Sequence, residues 1–332
     1  MAHPKQIRMA PDPHGRLPVA VRRFDMESGM SHVMRAFWEN GLSMDRACQW
    51  LKVQLTRPLR TVDARVLAWA VQAPTDWLSE RLAIVSDTTS AWWLQFGGQE
   101  ISAPLVLIGR AARICPLCLS ELGFCEMTWS IRLAPVCQRH GCLLLGACGH
   151  CRRPIGWDRP NVDICNCGRY FRPAREVGQL PKAVFDWTRW VALRLAWPLG
   201  SVVEAGGQLS VPKMLNEMSL DGALRLVMAF GLLQRPDQQP RGAATAARSI
   251  EGAVGVIARG LERISLIEAN LRRIRDISPQ IHLDALERLR ARAMCAADMN
   301  CASLLLRHVA DRSDCDVDMR GRHVRGQMTL FD

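Results

Sequence analysis

Four pairs of soft metal ligands fall between residues 115 and 167: Cys115 with Cys118, Cys137 with His140, Cys148 with Cys151, and Cys165 with Cys167. A Cys-x-x-Cys or Cys-x-x-His turn aims two side chains at one ion while the backbone closes a tight knuckle, and two knuckles complete a tetrahedron. Thiolate and imidazole suit zinc in softness and geometry. Eight such ligands are enough for two closed Zn2+ sites, and a closed site builds structure while leaving no position open for chemistry. Binding of this kind supplies roughly 10–16 kcal/mol of apparent free energy that becomes folding energy. The segment needs it, because it is rich in Gly, Pro, Arg and Cys and its apolar runs are short.

Two pairings satisfy the spacing. Sequential use places Cys115, Cys118, Cys137 and His140 on a first zinc, and Cys148, Cys151, Cys165 and Cys167 on a second. A cross-braced arrangement would join the first knuckle to the third. Sequential pairing is preferred because each site then closes through a local loop. Cys125, Cys142 and His150 lie nearby as spare ligands and are expected to serve packing or surface. A disulfide framework is disfavoured, since the 13 cysteines are odd in number and the Met-Ala-His-Pro start lacks the apolar core of a secretory signal.

Catalytic signatures are absent. No Gly-Lys dipeptide occurs, so there is no P-loop, and there is neither a His-Glu-x-x-His nor the His-x-Glu and Pro-Cys-x-x-Cys of a zinc deaminase. The chain therefore reads as a binding protein and not an enzyme. Its 332 residues are 48% hydrophobic with a formal charge of +11, which describes a globular chain with a polyanionic partner, most naturally nucleic acid. The basic residues are nearly all Arg, with Lys only at 5, 52, 182 and 213, and a GC-rich genome would produce the same bias. No apolar run spans a membrane, and thiols used for metal fit a reducing cytoplasm.

The flanking elements read as helical, giving a mainly α fold around a small central zinc-ribbon or knuckle region. Met30, Val33, Met34, Phe37 and Trp38 form one apolar stripe. Asn40-Gly41 stops that helix and Ser43 caps the next, which carries Met44, Ala47, Cys48 and Leu51. The pair is a helix-turn-helix candidate, and Arg46, Lys52, Arg57 and Arg60 are candidate phosphate contacts. An ordinary helical hairpin in a protein-binding domain fits equally well. Thr61 and Thr75 read as caps of two further helices. Trp92, Trp93 and Phe96 are expected to pack a linker, and Phe124, Trp129 and Ile131 to form short strands within the metal region.

Beyond residue 174, Val184, Trp187, Trp190, Val191 and Leu195 mark an amphipathic helix up to Pro198. Residues 209–233 hold two helices, with Ser219 as a cap and Gly231 as a stop. Residues 234–242 read as a loop. A helical region at 250–275, interrupted by Gly252, Gly255 and Gly260, presents Arg272, Arg273 and Arg275 as further contacts, and a last helix covers about 283–306. The expected organisation is an N-terminal tail at 1–16, a helical domain at 17–90, a linker at 91–112 and a double zinc-finger region at 113–173. A helical C-terminal domain at 174–310 and a flexible tail at 311–332 complete it.

The segment Ile114-Cys115-Pro116-Leu117-Cys118-Leu119, Trp129, Pro135-Val136-Cys137-Gln138-Arg139-His140-Gly141, Cys148-Gly149-His150-Cys151 and Cys165-Asn166-Cys167-Gly168 resembles the TniQ/TnsD transposition proteins. Leu17-Pro18-Val19, Glu27-Ser28 and Asn40-Gly41-Leu42-Ser43 resemble that family's N-terminal helical region, and residues 210–233 its C-terminal helices. The resemblance implies a non-catalytic target-selection adaptor of a bacterial mobile element. Such proteins read a target directly on DNA or through an RNA-guided CRISPR complex, and recruit an AAA+ transposition ATPase for DNA integration. Family members with guide complexes can be dimers, which makes a homodimer compatible with this chain. The rival reading is a zinc-containing, sequence-specific transcription regulator, and a third is a protein scaffold without DNA contact.

Overall fold

The computed structural model describes residues 16–55, 57–85, 92–109, 111–172, 180–196, 209–235 and 247–315. The expected N-terminal tail (apart from Arg16), residues 86–91, Pro198, most of the loop at 234–242 and the tail beyond Cys315 lie outside them.

Four helices open the fold: α1 (Gly29–Glu39), α2 (Met44–Leu51), α3 (Thr61–Ala70) and α4 (Thr75–Arg81). Ser28 and Ser43 cap α1 and α2, each side-chain oxygen accepting from a backbone N–H three residues on. Asn40 ends α1, and Gly41, at φ 69, turns the chain. Thr61 and Thr75 are the first helical residues and not caps. At α3 the capping position is Arg60, whose N–H donates to Asp63 at 2.8 Å. Val33, Met34, Phe37, Met44, Ala47, Leu67 and Leu78 bury one face in a common core.

Strands β1 (Ile84–Val85), β2 (Trp93–Phe96) and β3 (Gln99–Ser102) form an antiparallel sheet in that order, with Phe96 opposite Gln99 across a Gly97-Gly98 turn. Both turn glycines have φ above +60°, as a two-residue hairpin of this twist requires. The stretch expected as a linker thus carries a hairpin, with Leu94, Phe96 and Ile101 fully buried. Its alternation of one buried and one outward residue is only two repeats long, too short to stand out in the sequence.

The metal-ligand segment opens with α5 (Pro116–Leu122) and then runs through turns joined by isolated bridges. Phe124, Trp129 and Ile131 are buried as expected, but they form no strands: residues 127–130 are a 3-10 turn, and Ile131 makes a single bridge to Val106. Trp129 packs with the N-terminal helices, whereas Ile131, Leu133 and Val136 pack with the C-terminal ones. The segment is therefore part of two cores at once.

The C-terminal part contains α6 (Lys182–Ala196), α7 (Met214–Glu217), α8 (Leu220–Gly231), α9 (Ile250–Ala269), α10 (Ile274–Ile277), α11 (Leu283–Ala291) and α12 (Ala296–Cys315). Helix α9 runs unbroken through Gly252, Gly255 and Gly260, against the expected interruptions. Gly260 is there for contact, since a Cβ would strike the Val227 carbonyl of α8. Gly231 likewise sits against the Val256 backbone of α9 and is the last helical residue, with Leu232 as C-cap. The end of α8 is tied by Arg263, whose Nη1 donates to the carbonyls of Phe230 and Leu233, and by Arg259 donating to that of Gly231. The expected last helix is two, parted at 292–295, and α12 continues into the first residues of the expected tail. No helix of the described residues is long and apolar enough to cross a membrane.

Candidate metal centres

The eight ligands gather into two groups of four, with all ligand atoms in each group within 4.8 Å of one another. The groups follow the chain: Cys115, Cys118, Cys137 and His140 in one, Cys148, Cys151, Cys165 and Cys167 in the other. A tetrahedron with metal–sulfur bonds of about 2.3 Å has edges of about 3.8 Å. The Cys118–Cys137, Cys151–Cys165 and Cys148–Cys167 sulfurs lie 3.4, 3.7 and 4.0 Å apart, so each group could hold one metal ion.

Local backbone builds the first centre. Cys115 precedes α5, Pro116 opens the helix, and Cys118 sits in its first turn. Opposite them, the Gly141 N–H donates to the Cys137 carbonyl at 2.9 Å and the Cys137 N–H to the Cys142 carbonyl at 2.7 Å. Gly141, at φ 62, closes this knuckle. The three cysteines are fully buried. His140 turns Nδ1 toward them, at 3.5 Å from Cys115, 3.2 Å from Cys118 and 3.5 Å from Cys137. Its Nε2 meets Glu121 Oε1 at 3.0 Å. A carboxylate on the far nitrogen fixes the ring's tautomer and orientation and raises its basicity as a ligand. Partial burial works against the charged imidazole, but Glu121 and Cys137 outweigh it and lift His140 to about 9.

The second centre is shallower: Cys148 and Cys165 are buried, Cys151 is half-buried and Cys167 is exposed. The Cys148 knuckle closes through Arg152 N–H to Cys148 O and Cys148 N–H to Arg153 O, both 2.9 Å, with Arg152 at φ 59. Gly168, at φ 78, closes the other, its N–H donating to the Cys165 carbonyl at 2.8 Å. Burial opposes ionisation of Cys148, yet the backbone N–H groups of Cys151 and His150 draw its thiol down to about 7. Cys165, dominated by burial, is pushed up to about 12.

Three further residues surround the first centre: Glu121 and Glu126, which the sequence reading did not single out, and Cys142, which it set aside as a spare ligand for packing or surface. Glu121 stands one helical turn after Cys118, a spacing that was readable. Glu126, fully buried, accepts from Gln138 at 2.8 Å and Arg139 at 2.9 Å, the two residues inside the second knuckle. Its backbone bridges to Glu27, and Ser28 N–H donates to Cys125 O at 2.9 Å, so the knuckle is braced against the start of α1. Cys142 places its sulfur 3.6 Å from Cys115.

The candidate contact residues are distributed unevenly. Arg46 and Lys52 are exposed on and just after α2. Arg57 is held by Asp63 through two bonds of 2.9 and 3.3 Å, and Arg60 lies 4.0 Å from the same carboxylate. Arg272, Arg273 and Arg275 are exposed after α9. The first four ride on elements of the N-terminal core and the last three on elements of the C-terminal one.

No curated protein matches the chain. A family model does: its match runs from the approach to α1 through the whole first metal centre and stops before the second. Such a domain fits a transposition-associated adaptor. Residues 18–144 match the family model described as TniQ, and over that stretch the chain is similar to the TniQ family.

Proposed function

We propose that the chain is a non-catalytic transposition adaptor that recognises a target, directly on DNA or through an RNA-guided CRISPR complex, and recruits an AAA+ ATPase for DNA integration. The observation that carries this reading is the TniQ match over 18–144. Two four-ligand groups support it, because they account for all eight ligands as structure and provide no open coordination position. Zn2+ is the ion proposed for both, one per group, since three thiolates with an imidazole, and four thiolates, are donor sets that suit it. In that role the metal segment is a brace shared by two helical cores. Target and partner contacts are assigned to the flanking helices, with α1 and α2 as the helix-turn-helix candidate and Arg46, Lys52, Arg272, Arg273 and Arg275 as exposed cations.

The test is a pull-down of the tagged full-length chain from its native host. Recovery of an AAA+ ATPase is expected, accompanied by DNA or a guide-RNA complex. Recovery of DNA alone, with a steep loss of binding as salt rises, would instead favour the transcription-regulator reading.

A further inference from the structure

We propose that Cys142 is a reserve ligand of the first metal centre: when His140 leaves, Cys142 joins Cys115, Cys118 and Cys137, and a site of three thiolates and one imidazole becomes a site of four thiolates. The inference rests on the reading that this centre holds a metal ion.

The centre contains one soft donor more than a tetrahedron uses. Cys142 Sγ lies 3.6 Å from Cys115 Sγ, between the 3.4 Å of Cys118–Cys137 and the 3.7 Å of Cys151–Cys165. Its position is set by the knuckle itself: the Cys142 carbonyl accepts from Cys137 N–H at 2.7 Å, and Val136 bridges to Leu143 just outside. Cys142 is buried, with 9% exposure, so its thiol faces the centre and not solvent.

His140 is the ligand best placed to leave. The three cysteines are fully buried, whereas the histidine side chain keeps 17% exposure and leans on Glu121, itself 58% exposed. Exchange breaks one Nδ1–metal bond and forms one Sγ–metal bond, and the Cys142 thiol proton passes to the departing imidazole. No electrons are transferred. Thiolate binds zinc at least as well as imidazole, so the ion stays while the His140 side chain is released.

Metal content and Co2+ spectroscopy of the full-length chain test this. Each thiolate–Co2+ bond adds charge-transfer absorption, so intensity per chain reports sulfur ligands. His140→Ala is expected to hold two ions and to gain the absorption of one further sulfur. Cys142→Ser is expected to match the unmodified chain in both readouts. The double variant is expected to hold one ion. The proposal is overturned if His140→Ala holds one ion, or holds two without added sulfur absorption. It is equally overturned if Cys142→Ser alone loses an ion, which would make Cys142 a primary ligand. An unmodified chain with fewer than two ions would sink the metal-centre reading itself, separating that failure from this one.

Discussion

Single side chains decide how tightly each centre is held. Cys118→Ser removes a buried thiolate from the first group and should cost the chain one of two ions, with a lower melting temperature, because metal affinity is folding energy here. Unchanged metal content by elemental analysis would remove Cys118 from the ligand set. Glu121→Gln acts at one remove. The amide no longer anchors Nε2 as a charged acceptor, and metal affinity at the first centre should fall about tenfold in a chelator competition. Far from the metal, Asp298 is fully buried, accepting from Ser219 N–H at 2.9 Å and Ser219 hydroxyl at 2.6 Å. Asp298→Ala strands both donors at the start of α8 and should cost about 2–3 kcal/mol in urea unfolding. Cysteine spacing made the ligands legible, whereas Asp298 was not, because its partner is 79 residues away.

At the scale of elements, the α8–α9 contact depends on backbone approach. Gly260→Ala would push a methyl group into the Val227 carbonyl and should destabilise by roughly 1–3 kcal/mol through forced separation of the helices. Gly255 gives the contrast: an added Cβ meets only the end of the flexible Arg259 side chain. Gly255→Ala should therefore leave stability unchanged or raise it by up to about 1 kcal/mol, the helix-propensity gain. Thermal melts of the two variants distinguish contact from propensity. Helices α1 and α2 were readable with their caps, since a full apolar stripe and a Ser cap sit together in the sequence. Glycines in α9 read as breaks because propensity is local, while the reason for Gly260 is the neighbouring helix.

At the scale of the molecule, the first centre joins the N-terminal helices to the rest. The knuckle residues Gln138 and Arg139 hold Glu126, and the adjoining backbone pairs with residues 26–28. Chelation should therefore raise amide hydrogen exchange at Ser28 and Met127, whose N–H groups donate across this seam. Protection that survives chelation would separate the metal from the N-terminal core. Lower pH should weaken the second centre. Cys148, held near 7 by backbone N–H groups, is largely ionised above that pH and gains a proton below it, which competes with the ion. Metal affinity of the second centre should fall as the solution is taken from mildly alkaline to mildly acidic, read by chelator competition.

The sequence by itself pointed to the eight candidate ligands, the TniQ resemblance and most helices, because ligand spacing, caps and apolar stripes are local signals. Only the tertiary structure decided which knuckles converge, how Glu121, Glu126 and Cys142 surround the first centre, and why the glycines of α8 and α9 are there. It also showed that the metal segment lies within two cores and that Asp63 engages Arg57. Each of these depends on groups distant in the chain meeting in space, and spacing along the chain does not record that.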